Sequence, residues 1–359
     1  MKIFKRIILI VLCVFLGLIN IALTVRAVGK LRYNMTPWGG INKSFYVDIN
    51  GTKQWINIYG KDKNNPVLLY LHGGPGSATS YVDYEFTRKW SDVYTVVTWD
   101  QRAAGKSWLK NTKDTTPINL DTMMEDGLEM TEFLRNSLGK DKISIIGHSW
   151  GSIFGAKLVL AHPEYYDCYI GTGMTVDLIE NEIRFWEAAK EWAKGNEEDE
   201  QLIEKCASGE IPNMSVEYIK VRTQMMNKYG YGMDSEKSDY SMIAALFFNP
   251  YYNLWDEIKC LKFATTQGVA ETYYDWDATD EFKGLSILDE TEYKVPYYNI
   301  NGDMDYQANF ELAQDYFDSI KAPRKKMFLM KDMGHGLMEV RSGEFSDIVH
   351  EIAAMESSK

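Results

Sequence analysis

A pentapeptide in the middle of the chain, Gly147-His148-Ser149-Trp150-Gly151, has the composition of a tight turn that carries a reactive serine. The apolar stretch Lys142–Gly147 precedes it and helical spacing over Ser152–Ala161 follows it, so we expect a strand, a sharp turn and a helix. Such a turn holds the serine in strained backbone angles above the sheet, and only glycine fits its crowded flanks. The dipole of the following helix favours negative charge beside Ser149. The pattern therefore predicts that Ser149 is the nucleophile of an acyl-transfer reaction.

A second glycine-rich segment, His72-Gly73-Gly74-Pro75-Gly76, follows the predicted strand Pro66–Leu71. Backbone N–H groups in a loop of this composition are bare and can approach a substrate closely. Acyl transfer at a serine needs two N–H donors for the developing oxyanion, one from such a loop and one from the residue after the nucleophile. We therefore predict that Gly74 and Trp150 provide the oxyanion hole.

The general base must be one of five histidines. Four of them occupy unsuitable places: His72 lies in the glycine-rich loop, His148 adjoins the nucleophile and is expected to point away, His162 ends the helix after Ser149, and His350 lies within the last predicted helix. His335 lies between two glycines on a loop that follows the last predicted strand, where a mobile imidazole could reach Ser149. Elimination and position together predict His335 as the base.

The carboxylate that orients this base should follow the preceding strand, Tyr297–Asn301. Two acidic residues are available there, Asp303 and Asp305. The chain order of serine, aspartate and histidine is the order found in α/β hydrolases. Spacing alone does not choose between the two aspartates.

The elements that must position these residues alternate between strand and helix. Asn50-Gly51 predicts a hairpin between Ser44–Ile49 and Gln54–Tyr59. The further predicted strands are Pro66–Leu71, Tyr94–Trp99, Lys142–Gly147, Val295–Asn301 and Lys326–Leu329, and the predicted helices of this part are Leu120–Leu138, Ser152–Ala161 and Phe345–Met355. This alternation predicts an α/β fold with a mostly parallel sheet and helices on both faces.

A helical insertion interrupts the alternation. Between Asp177 and Glu290 the sequence has helical periods, almost no strand pattern, and 24 acidic residues against 11 basic ones. The predicted organisation is a membrane anchor over residues 1–30, a first part of the core over 44–175, a helical cap over 176–290 and a second part of the core over 291–359.

The N-terminal segment Ile7–Val25 contains no charged residue, and a helix of that length reaches about 28 Å, close to the hydrocarbon thickness of a bilayer. A signal peptide is the competing interpretation, but its apolar region is usually shorter and Val25-Arg26-Ala27 is a poor cleavage site. We therefore predict a single-pass, uncleaved anchor. The short basic N-terminal tail favours a catalytic domain on the outer face of the membrane.

Charge and cysteine usage exclude other classes of protein. The chain has 51 acidic and 39 basic residues, and residues 1–43 contain seven of the bases and no acid. Because the remainder is strongly acidic, nucleic acid is not expected as a partner. Four scattered cysteines predict neither a disulfide framework nor a metal site, and no cofactor is expected.

Taken together, these motifs resemble the proline iminopeptidase group of α/β-hydrolase serine peptidases. The resemblance covers the glycine-rich loop, Asp100-Gln101-Arg102 with Gly105 and Ser107, the serine turn and Gly334-His335. It implies that the acid is Asp305, the last residue of a Gly-x-x-Asp motif, and that Asp100-Gln101-Arg102 supports the active-site loops. Departures are Ser77, where the group usually has glycine, and His148, where glycine is also common.

The resemblance also implies cap glutamates that bind the free amino group of a peptide. The local motifs that carry them are missing here, and Glu187, Glu191 and Glu271 are the candidates that could substitute. An acidic, aromatic cap suits a cationic amine with an apolar first side chain, although a solvated acidic surface has the same composition.

The sequence thus predicts a serine hydrolase acting on a small peptide or ester. The leading hypothesis is an aminopeptidase of the proline iminopeptidase type. A membrane-tethered esterase or lipid hydrolase would use the same triad, and a membrane-anchored binding protein without activity would keep the fold alone.

Overall fold

An eight-stranded sheet forms the centre of the protein. In a computed structural model, which describes residues 2–206, 216–232, 238–263, 273, 276 and 279–358, the strand order is β1-β2-β4-β3-β5-β6-β7-β8. The strands are β1 Ile41–Ile49, β2 Thr52–Gly60, β3 Val67–Leu71, β4 Thr95–Asp100, β5 Ile143–His148, β6 Tyr166–Thr172, β7 Tyr297–Gly302 and β8 Lys325–Met330. The pairings β1–β2 and β2–β4 are antiparallel and all others are parallel. The predicted mostly parallel sheet is confirmed.

Helices cover both faces of this sheet. The helices of the described residues are α1 Lys2–Asn34, α2 Tyr84–Thr87, α3 Gly105–Lys110, α4 Leu120–Leu138, α5 Trp150–Ala161, α6 Leu178–Ala193, α7 Glu197–Cys206, α8 Val216–Lys228, α9 Met242–Phe248, α10 Leu254–Phe263, α11 Asp280–Lys283, α12 Phe310–Ser319, α13 Leu337–Val340 and α14 Ser342–Ser357. One apolar cluster packs α4, α5 and α12 on the first face, and a second packs α2 and α14 on the opposite face.

Helix α4 has the bounds that its apolar period predicts, and it is capped at both ends. Its N-cap is Asn119, whose side chain accepts a hydrogen bond from Thr122 N at 2.8 Å, and the helix ends at Gly139, which has φ 62°. Its fully buried methionines, Met123 and Met130, lie in the same apolar cluster as Phe154 of α5. The helix begins and ends where its capping residues and apolar period predict.

Among the elements that were not predicted are one strand of the sheet and the helix that follows β7. The strand Tyr166–Thr172 pairs with β5 and β7, and the helix Phe310–Ser319 follows β7. The described residues between β6 and β7 form helices, turns and loops, with isolated bridges from Asp177 to Ser286 and from Glu292 to Lys321. The division of the chain into an anchor, a two-part core and a cap stays a prediction.

The N-terminal helix α1 is continuous over 33 residues. Its segment from Ile3 to Val25 exposes nearly all of its large apolar side chains, whereas Arg26 is buried against the rest of the protein. The helix is long and apolar enough to cross a membrane, a property that signal sequences share.

Candidate active site

Strand register brings the candidate residues to one edge of the sheet. Leu71 pairs with Gly147, Thr172 pairs with both His148 and Ile300, and Gly302 pairs with Met330. The carboxyl ends of β3, β5, β6, β7 and β8 therefore lie side by side. In open α/β sheets, ligands bind at this edge.

Ser149 lies on a strained turn between β5 and α5. Its backbone angles are φ 56° and ψ −122°, and its N–H donates to the carbonyl oxygen of Thr172 at 3.0 Å. The flanking residues must be glycine: a Cβ placed on Gly147 would lie 2.1 Å from the oxygen of Gly151, and one on Gly151 would lie 2.2 Å from the oxygen of Leu71. Strain of this kind costs about 1–3 kcal/mol and collects at functional sites.

The glycine-rich loop after β3 lies against this turn. A Cβ placed on Gly73 would be 3.1 Å from Ser149 Cβ, and Gly74 has φ 118°, a conformation that favours glycine. Across the part of the chain that the structure describes, neither Gly74 N nor Trp150 N donates a hydrogen bond. Both amides are therefore available to a substrate oxygen.

His335 and Asp305 form a buried pair. Nδ1 of His335 lies 2.8 Å from Oδ2 of Asp305, and the two side chains are 6% and 0% exposed. The other carboxylate oxygen of Asp305 accepts from the backbone N–H groups of Gln307 and Ala308 at 3.0 and 2.9 Å. Because the carboxylate accepts the Nδ1 proton, Nε2 of His335 is left as the basic nitrogen.

Asp303 has a different partner. Its Oδ1 accepts a hydrogen bond from Met333 N at 3.3 Å, and its own N–H donates to the oxygen of Met330. It thus ties together the loops that follow β7 and β8 without touching the imidazole of His335. Of the two aspartates left open by spacing, the structure brings Asp305 to the histidine.

Ser149 and His335 share neighbours. A Cβ placed on Gly173, the residue after Thr172, would lie 2.9 Å from Cε1 of His335, while Thr172 itself binds Ser149 N. Among the described residues, no hydrogen bond joins the Ser149 hydroxyl to the imidazole of His335. Such bonds in unliganded enzymes are often long and shorten only with substrate.

The prediction that His148 points away from the base is wrong. Its Nε2 donates to the backbone oxygen of His335 at 3.0 Å, and the two imidazole rings lie 4.6 Å apart. Burial, together with the charge of His335, lowers the pKa of His148 to about 3, so its ring is neutral at ordinary pH. His148 therefore positions the backbone that carries His335.

Gln101 links the loop that carries Gly74 to Trp150, the two predicted sources of oxyanion donors. Its side-chain N–H donates to the oxygen of His72 at 3.2 Å, and its side-chain oxygen accepts from the indole of Trp150 at 3.1 Å. Its backbone N–H also donates to the imidazole of His72 at 3.2 Å. These contacts fit the supporting role that the family resemblance implies for this motif.

Arg102 extends this support into a buried network. Its guanidinium binds both carboxylate oxygens of Asp126, at 2.7 and 2.8 Å, and contacts Asp114 at 3.0 Å. Asp126 also accepts from Asn50 and Gln54, which ties the β1–β2 hairpin to α4. Nothing in the sequence marks Asp126 as a partner of Arg102, because the two meet only through the fold.

Of the three glutamates that sequence reasoning offered as substrate ligands, the two that the structure describes are exposed to solvent. Glu187 is exposed, and the side chain of Glu191 is 75% exposed and lies 3.6 Å from Lys194; Glu271 lies outside the described residues. Their role in substrate binding stays a prediction. The buried carboxylate of α6 is Glu182, which sequence reasoning missed.

Glu182 belongs to a network that reaches the loop of Asp305. It accepts hydrogen bonds from Tyr218 and from Arg222, the latter at 3.1 Å. Arg222 in turn donates to the side chain of Gln307 at 2.6 Å, two residues from Asp305. Arg222 therefore links the carboxylate of Glu182 on α6 to the loop that carries Asp305.

Replacing Gln101 tests the support of the oxyanion hole. We expect Gln101→Met to lower turnover by about ten- to a hundredfold, because displaced backbone donors no longer match the reacting oxygen. Steady-state kinetics on a reporter substrate measures the effect. The control is Gln314→Met, since the amide of Gln314 bonds only to Asp318 among the contacts seen at the surface of α12. Equal turnover in the two variants would contradict the role of Gln101.

Comparisons with known proteins agree with the fold. A family model described as alpha/beta hydrolase fold matches residues 66–340. A probable aminopeptidase of Bacillus subtilis is 25% identical over 293 residues, which cover 80% of this chain and 89% of that protein. A proline iminopeptidase of Clostridioides difficile is 33% identical over 110 residues, which cover 30% of this chain and 35% of that protein.

A solved structure gives the same result for the fold. Proline iminopeptidase of Mycobacterium smegmatis superposes with a TM-score of 0.61 at 17% identity, covering 88% of this chain and 98% of that one. The chain resembles the proline iminopeptidase group, as the sequence motifs predict. Since the family match spans well over half of the chain, this protein belongs to the α/β-hydrolase fold family and is a hydrolase.

Proposed function

We propose that this hydrolase is a serine aminopeptidase of the proline iminopeptidase type, which releases N-terminal residues from small peptides. The observation that carries the proposal is the buried pair of His335 and Asp305, 2.8 Å apart, at the same sheet edge as the strained Ser149. The names of its relatives support the choice of a peptide substrate.

The proposed reaction is acyl transfer in two steps. Ser149 Oγ attacks the scissile carbonyl while Nε2 of His335 takes its proton, and Asp305 stabilises the resulting imidazolium. The N–H groups of Gly74 and Trp150 bind the oxygen as it becomes negative. His335 then protonates the departing amine, and a water molecule activated by the same imidazole hydrolyses the acyl-enzyme.

A substrate panel on the full-length protein in detergent tests this function. The panel contains proline and alanine amides with a free amino terminus, the same amides with a blocked amino terminus, and aryl esters. An aminopeptidase cleaves the free amides and rejects the blocked ones. Ester turnover without amide turnover would instead support a membrane-tethered esterase or lipid hydrolase, and no turnover of any substrate would favour a binding protein.

We further propose that α1 stays attached as an uncleaved anchor. Arg26 and Glu257 form a buried ion pair at 2.7 Å, and Lys30 donates to the oxygen of Tyr252 at 2.6 Å. Cleavage after Ala27 would remove Arg26 and leave the Glu257 carboxylate buried without a cation, which costs about 3–5 kcal/mol in comparable pairs. The first residues after the apolar stretch therefore pack against the rest of the protein, which is not expected of a cleaved signal peptide.

The anchor predicts a fractionation result. We expect the full-length protein to sediment with membranes and to resist carbonate extraction, because about 19 uncharged residues suffice to span the hydrocarbon layer. Intact-mass analysis of the extracted protein should give the mass of the whole chain. A mature protein that begins after about Ala27 would contradict the anchor. Protease digestion of intact cells tests the expected outer-face location, and a catalytic domain that survives while an outer-face control is degraded would contradict it.

A further inference from the structure

Exposed apolar side chains collect on two helices of the inserted segment. Outside α1, ten large apolar residues of the described part of the chain are exposed, and five of them lie on α9 and α10: Met242, Ile243, Leu254, Trp255 and Ile258. Trp255 is 74% exposed. Soluble proteins expose single apolar residues everywhere, but a concentration of them on adjacent elements marks an interaction surface.

These two helices contact α1. A Cβ placed on Gly29 would lie 2.2 Å from the ring of Phe248 in α9, and Arg26 lies over the ring of Phe247 at 5.7 Å. Glu257 of α10 forms the ion pair with Arg26. The surface is therefore continuous with the point where α1 leaves its apolar segment.

The exposed residues of α10 lie on one side of the helix. At 100° per residue, Leu254, Ile258 and Trp255 fall within one arc of about 100°, and the buried Glu257 and Cys260 both fall outside that arc. We call Leu254, Trp255 and Ile258 the α10 face. The exposed Lys262 falls within the same arc, and the exposed Lys259 lies about 40° beyond Trp255. Apolar side chains accompanied by lysines are the composition of helices that lie in a membrane interface.

The position of Arg26 in the chain indicates how deep the α10 face would lie relative to the membrane. Arg26 is the first charged residue after the uncharged stretch, so it marks the edge of the hydrocarbon layer, and Glu257 lies at the same level because the two are in contact. The headgroup region beyond that edge is about 5–8 Å thick on each side. Tryptophan favours this region because its ring is apolar and its N–H finds polar partners there.

We propose that the α10 face docks into the headgroup region of the lipid bilayer beside the exit of α1. The inference rests on the proposed anchor and goes beyond it, since a tethered domain need not touch the lipid. Tyr252, which precedes α10, also binds Ser80 at 2.6 Å and Asp100 at 3.3 Å, at the sheet edge that holds Ser149. The face that contacts lipid is therefore joined to the edge of the sheet where substrate binds.

Fluorescence quenching in vesicles tests the docking. Full-length protein is reconstituted in phosphatidylcholine vesicles, with and without a share of lipid brominated near the headgroup end of one acyl chain. We expect the brominated lipid to quench part of the tryptophan emission, and Trp255→Phe to lose most of that quenched part. The matched control is Trp38→Phe, because Trp38 is fully exposed but follows the far end of α1, where Asn34 is about 12 Å beyond Arg26 along the helix axis.

Each outcome decides the proposal. Quenching that is equal in Trp255→Phe and the parent protein overturns it, as does quenching of Trp255 by aqueous iodide in vesicles, which would place the residue in water. Protection from both quenchers would mean that protein, such as a second copy of the chain, covers the face. Vesicle flotation distinguishes failure of the docking from failure of the anchor. A chain that does not float with the vesicles overturns both the docking and the anchor. A floating chain in which lipid does not quench Trp255 overturns the docking alone. Fluorophosphonate labelling in the same vesicles reports on the serine hydrolase chemistry independently.

Discussion

Ser149→Ala is expected to abolish turnover, lowering the rate by about five to six orders of magnitude, as removal of the nucleophile does in other serine enzymes. The side chain of Ser149 makes no hydrogen bond to any described residue, so its removal should leave packing unchanged. The melting temperature should therefore stay nearly unchanged. Alanine at φ 56° carries about the same strain as serine, so the turn itself is kept.

Covalent labelling with a fluorophosphonate reagent gives the direct measurement. The parent protein should be labelled and Ser149→Ala should not. Ser346→Ala is the control, because Ser346 is buried on α14, where its hydroxyl contacts His350. A parent protein that is never labelled would indicate a binding protein that kept the fold, and labelling that persists in Ser149→Ala would mean that another residue is the nucleophile.

Asp305→Asn is expected to lower turnover by about 10⁴-fold, because an amide can leave His335 in the unproductive tautomer. Asp303→Asn should have a small effect, since an amide oxygen can still accept the hydrogen bond from Met333 N. The pair forms a matched test, with the same chemical change two residues apart in one loop. Kinetics at saturating substrate, together with thermal unfolding, separates loss of catalysis from loss of structure.

The opposite ranking of the two variants would overturn the assignment. If Asp303→Asn proves the more damaging change, the acid is offset by two residues from the Gly-x-x-Asp motif. Equal and small effects would show that His335 is not held by either carboxylate. The 2.8 Å contact between Asp305 and His335 predicts neither result.

Local signals were enough to predict much of the fold. The bounds of α4 follow from Asn119, Gly139 and the apolar period between them, and the hairpin at Asn50-Gly51 follows from the positive φ of both residues, 42° and 77°. The strand Tyr166–Thr172 gave no such signal, because it mixes aspartate with small residues and is defined by pairing with β5 and β7. Its conformation depends on neighbours that are distant in sequence.

The same distinction applies to the candidate site. Ser149 and His335 could be predicted because each lies in a glycine-flanked motif whose backbone requirement is local. The orientation of His148 could not, since it depends on where the loop of His335 returns, 187 residues later. The choice of Asp305 needed a family resemblance, and the pairing of Arg26 with Glu257 spans 231 residues, which no local pattern encodes.

The contacts of α1 at Arg26 and Lys30 have a consequence for the proposed anchor. A spanning helix adjusts to hydrophobic mismatch by tilting. In a protein with a flexible linker, such a tilt would not pass beyond the linker. Here the helix continues unbroken to Asn34 and is held by Glu257 and Tyr252, so an anchor that tilts would turn the rest of the protein with it. A thicker or thinner membrane would then present the carboxyl edge of the sheet to the lipid surface at a different angle.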